Sequence, residues 1–184
     1  MKRMNQVILI GSFIPFCWLV FMATHELGHV IAGRATGGTV TRIVLHPFAL
    51  SRTDILPNPS PLVVVWAGPI VGIALPLTIW ALFWKFKIPG DYLARFFTGF
   101  CLIANGAYIG IGSFEHVGDA GEMIRNGSPV WMLWLFGIIT VPIGFLIWHG
   151  LGPKFGLGES NGYVDERAAY FSLGLFTLLF VLTI

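Results

Sequence analysis

Long apolar runs separated by short polar connections dominate this chain. A helix that crosses a bilayer needs about 20 mostly apolar residues. Five segments are long enough. The first starts near Val7, carries no charge as far as Ala23, and continues as helix to about Ala35, with Pro15 as a candidate kink. The others are about Leu62–Trp84, Tyr92–Ile111, Val130–Trp148 and Ala168–Ile184. The connection from Thr36 to Pro61 is the longest polar-leaning stretch, opened by Gly37-Gly38 and punctuated by Pro47, Pro57, Pro59 and Pro61. Inside it, Thr39–Leu45 and Phe48–Thr53 are rich in β-branched and apolar residues and read as short strands. The pattern predicts an all-α multi-pass membrane protein of about five transmembrane helices, with a short membrane-associated β region after the first.

Composition strengthens that reading. Of 184 residues, 55% are hydrophobic and 11% charged, against roughly 25% charged in soluble domains. The expected surroundings are a lipid bilayer, the cell membrane in a bacterium. A scattered net charge of +2 gives no electrostatic footprint for nucleic acid. Met1-Lys2-Arg3 fits the opening of a signal peptide, but Phe21-Met22-Ala23 lacks the small residue of a cleavage site, so the first segment reads as a retained span. Cys17 and Cys101 lie within apolar runs and read as buried small hydrophobes. With alternating spans, Lys2, Arg3, Lys85, Lys87, Arg95, Lys154 and Arg167 share one side, and Arg34, Arg42, Arg52 and Arg125 the other. That bias places the N-terminus in the cytoplasm.

The chemistry concentrates at His25-Glu26-Leu27-Gly28-His29. Two His four apart on a helix project from one face, a turn apart. Their imidazoles can grip one Zn2+, with the intervening Glu26 as general base toward water. Ionisable groups at membrane depth are costly and default to a functional reading. A catalytic zinc commonly takes three protein ligands, so one must come from elsewhere. The cluster from Glu115 to Glu122 follows the third span, and a helix restarting near Asp119 could bring its carboxylate to the ion. Asp119 is the first choice for third ligand, His116 the second and Glu122 the third. Gly28, the Gly68/Gly72 pair and the Gly106/Gly110 pair read as close-packing positions around a three-helix core. Gly137, Pro142 and Gly144 read as ordinary packing in the fourth span, with flexing as the alternative. Only one His pair has the four-residue spacing, too few ligands for a diiron oxidase.

With the HELGH helix, Ala67-Gly68-Pro69 and Gly118-Asp119 in view, the chain resembles the site-2 protease family of intramembrane zinc metalloproteases, more narrowly its M50B-like branch. The resemblance covers about Val7 to Pro129. It implies a core over residues 1–129, with two additional helices over 130–184. It also implies zinc held by His25, His29 and Asp119, Glu26 as catalytic base, and a transmembrane protein as substrate, cut in or near its membrane segment. The stretch after the first span resembles a β region that receives substrate. Family members commonly face the zinc toward the cytoplasm, which places this N-terminus outside, opposite to the charge bias. Substrate gating is expected from the last two spans or from a regulatory membrane partner. Gly118-Asp119-Ala120-Gly121 stands where the family carries Leu-Asp-Gly, without the usual Asn-Pro approach, and Asn105 lies well upstream. That departure motivates the alternative of an inactive protein on the same scaffold, acting as chaperone or regulator.

Overall fold

The computed structural model describes residues 2–184; Met1, the first residue of the charged N-terminal opening, lies outside them. The elements run α1 (Lys2–Ala35), β1 (Val40–Val44), β2 (Arg52–Ile55), α2 (Pro61–Lys85), α3 (Asp91–Glu115), α4 (Gly118–Arg125), α5 (Val130–Trp148) and α6 (Glu166–Thr183). Two short 3-10 turns lie between α5 and α6. Among the described residues, α1, α2, α3, α5 and α6 are long and apolar enough to cross a membrane. They coincide with the five segments expected from hydropathy.

α1 has 34 residues and runs through Pro15. At 1.5 Å per residue it is about 50 Å long, well beyond a hydrocarbon core of about 30 Å. The β hairpin packs against its last turns: Ile55 of β2 lies directly against Gly33. The hairpin is antiparallel, with Arg42 opposite Asp54 and Val44 opposite Arg52.

The second strand is a correction to the expected Phe48–Thr53. Residues 47–49 form a turn in which the Ala49 N–H donates to the His46 carbonyl. Pro47 has no N–H for a ladder, so the reversal uses this stretch and pairing resumes at Arg52. Phe48 and Leu50 are left exposed.

α1 packs on α2 and α6, α2 on α3, and α3 most extensively on α5. Gly99, Gly106, Gly110, Gly137 and Gly144 make the last contact close: the Gly110 and Gly137 backbones nearly touch, and a Cβ at Gly106 would run into Thr140. Gly137 and Gly144 thus serve packing against α3. Cys17 and Cys101 are free and buried in the larger apolar core with Leu9, Phe13, Phe97 and Phe155. A smaller core of Val65, Ile109, Ala120, Met123 and Leu133 seats α4. Gln6 Nε2 donates to the Phe155 carbonyl, so the start of α1 and the α5–α6 connection share one end of the bundle. The hairpin meets α6 at the other end, where the Phe48 and Phe180 rings lie 6.0 Å apart.

Candidate metal centre

His25, Glu26 and His29 lie on α1 where it passes the first turns of α2, and all three are buried. Helical spacing puts both imidazoles on one face, ring centroids 4.9 Å apart. The space they occupy depends on Gly68 of α2. A Cβ there would run into both rings. Gly28 serves the approach itself, because a Cβ would collide with the Ala67 carbonyl.

Asp119 arrives from α4, 94 residues along the chain from His25. α3 ends at His116 with φ +55°, and Gly118 follows at φ +54°. Two left-handed residues so close reverse the chain sharply, so that α4 begins with Asp119 in its first turn. Gly118 is required twice over, since it adopts positive φ freely and a Cβ would strike the Tyr108 hydroxyl. Asp119 Oδ2 then sits 2.6 Å from His25 Nε2 and 3.3 Å from His29 Nε2. Among the described residues, the donor atoms of His25, His29 and Asp119 form one group that could hold a metal ion, all within 4.8 Å of one another.

The outer contacts fix the tautomers. His25 Nδ1 lies 2.8 Å from Asn105 Oδ1, and His29 Nδ1 lies 2.8 Å from the Val64 carbonyl oxygen. Asn105 is oriented by its own amide, whose Nδ2 donates to the Cys101 carbonyl. Both partners are therefore acceptors, so each Nδ1 carries the proton and donates it. A neutral ring then turns its Nε2 lone pair toward the Asp119 carboxylate. Lone pairs from two imidazoles and a carboxylate repel unless a cation or added protons lie among them. Two imidazoles and one carboxylate, with Nδ1–H anchored from behind, suit a divalent metal ion. Without a metal, added protons take that place: burial alone would push the Asp119 carboxyl up, but hydrogen bonds from protonated His25 and His29, and their charge, hold it well below the usual carboxylate range.

The other two ligand candidates are not brought into this group. His116 is exposed at the end of α3. Glu122 is exposed, 3.9 Å from Arg125, although it reaches the rim of the neighbouring cavity.

That cavity has a volume of about 870 Å3 and opens beside the three donors. α1, the starts of α2 and α4, Tyr108 of α3 and residues 52–55 of β2 wall it. Such a volume is in the range of ligand pockets, roughly 300–1,000 Å3. Glu26 faces it, 3% exposed, and accepts a 2.6 Å hydrogen bond from the Thr53 hydroxyl.

Three contributors went unassigned from sequence. Asn105 has a usable signal, being a lone amide within an apolar span. Thr53 and the Val64 carbonyl have none, because hairpin register and helix packing bring them in. Compared with known proteins, the chain matches no family model, no curated protein and no solved structure.

Proposed function

We propose that the chain is an intramembrane zinc metalloprotease of the site-2 protease type, hydrolysing peptide bonds in or near transmembrane segments of other membrane proteins. One observation carries this reading: His25 and His29 Nε2 converge with Asp119 Oδ2 beside a cavity that also receives the buried Glu26 carboxylate. Three of the five long apolar helices, α1, α2 and α3, wall the site, and it lies within the first two turns of α2. A bilayer-embedded chain would thus hold its polar groups just inside the membrane edge, within reach of both water and a substrate helix.

His25, His29 and Asp119 would hold the ion, with Asn105 and the Val64 carbonyl fixing the two rings from behind. Bound zinc supplies Lewis acidity, polarising the scissile carbonyl and making water nucleophilic near neutral pH. Glu26 takes the proton of the attacking water and returns it to the leaving amine. β2 pairs with β1 on one edge, and its residues 52–55 border the cavity. An unwound substrate segment could add to this hairpin as a further strand, its carbonyls freed from helical hydrogen bonds.

The inactive reading rested on the altered motif around Gly118. Delivery of Asp119 to both imidazoles without that motif supports the catalytic reading over it. The test is cleavage of a membrane substrate by purified protein in lipid. Glu26→Gln is expected to keep its zinc and lose at least about 100-fold in rate. Wild-type cleavage by Glu26→Gln would refute the assignment.

A further inference from the structure

We infer that Tyr108 is a further catalytic residue, whose phenolic O–H hydrogen-bonds the scissile carbonyl oxygen as that oxygen gains charge. The inference rests on the protease reading above.

Tyr108 lies on α3 one turn after Asn105, so both project toward His25. Its ring stands edge-on to the His25 ring, at 5.9 Å and 73°. Its hydroxyl oxygen accepts the backbone N–H of Asp119 at 3.2 Å. A phenol that accepts in this way still has its own proton to give. Among the described residues, no hydrogen bond takes that proton. Absence of a side chain at Gly118 lets the hydroxyl sit against the chain beside Asp119. The phenol is thereby anchored beside one ligand and faces the cavity with a free donor.

Base and donor come from different walls. Glu26 is held toward β2 by Thr53, whereas Tyr108 belongs to the α3–α4 wall. A carbonyl between them would meet water on the Glu26 side and the phenol on the other. The water oxygen bonds to the carbonyl carbon and gives its proton to Glu26. The C–N bond then breaks, and Glu26 returns the proton to the amine nitrogen. Tyr108 keeps its proton throughout. Its contribution is a fixed donor that strengthens as charge develops on oxygen.

The test compares wild type, Tyr108→Phe and Glu26→Gln on a verified substrate peptide and on its phosphonate analogue, a tetrahedral anion at the cleaved bond. Loss of one oxyanion donor typically costs about 10²–10³ in kcat. Tyr108→Phe is expected to show that fall with KM and zinc content unchanged, and a parallel loss of phosphonate affinity without loss of affinity for the uncleaved peptide. Unchanged kcat and phosphonate affinity overturn the assignment, as does loss of zinc, which would make Tyr108 a support for Asp119 alone. Cleavage that persists in Glu26→Gln overturns the protease reading and this inference together. Cleavage lost in Glu26→Gln but intact in Tyr108→Phe overturns this inference alone.

Discussion

Replacing Gly68 by Ala adds a single methyl group, yet it should disable the metal centre. The new Cβ would lie 2.8 Å from His25 Nε2 and closer still to the His29 ring. Ordinary van der Waals contact begins near 3.4 Å, so His25 Nε2 must retreat by about 0.6 Å and His29 by more. Metal sites tolerate shifts of about 0.2 Å in ligand distance. Neither ring can swing away freely, because Nδ1 of each is tied at 2.8 Å to Asn105 or to Val64. The helix itself has no objection to the change, since Ala favours helix over Gly by about 1 kcal/mol. A loss of zinc affinity at least as large as the 10–100-fold typical of outer-contact mutations is expected. Chelator competition on the purified, monodisperse protein measures it. Gly174→Ala is the control, because a Cβ there meets nothing within 4 Å. Zinc affinity in Gly68→Ala equal to that in Gly174→Ala would refute the argument that Gly68 makes room for the ligands.

Asn105→Ala removes the acceptor behind His25 and should weaken zinc by about 10–100-fold while leaving the fold intact; unchanged affinity would deny Asn105 its orienting role. The acidic limb of stability in metal-free protein should report on Asp119. Its carboxyl is held below the usual range, so its contribution is complete above the ordinary carboxylate pKa and fades as pH falls below it toward the lowered one. Thermal unfolding of metal-free wild type and Asp119→Asn should therefore differ near pH 5 and converge only in strong acid; convergence already near pH 5 would contradict this, since unperturbed Asp titrates near 3.9.

The five long helices were legible because a run of apolar residues needs no partner to declare itself. The HELGH pair was legible for a similar reason: helical geometry alone puts residues four apart on one face. What the sequence hides is set by tertiary register. The arrival of Asp119 depends on two left-handed residues, His116 and Gly118, and only one of them is a glycine. The second strand begins at Arg52 rather than Phe48 because the turn at residues 47–49 takes up what looked like strand. Gly68 reads from sequence as helix packing, and its closest neighbours are the two imidazoles. Thr53 reaches Glu26 only through hairpin pairing. Local periodicity therefore finds His25, Glu26 and His29 as candidates, while the Asp119 carboxylate, the rear anchors and the cavity wall belong to the folded chain.

The central claim is that one ion is held by His25, His29 and Asp119 together. Metal analysis of wild type, His25→Ala and Asp119→Ala, purified alike and checked for folding, tests it most directly. The account predicts about one zinc per wild-type chain and little in either variant. Wild-type zinc in folded Asp119→Ala would contradict it.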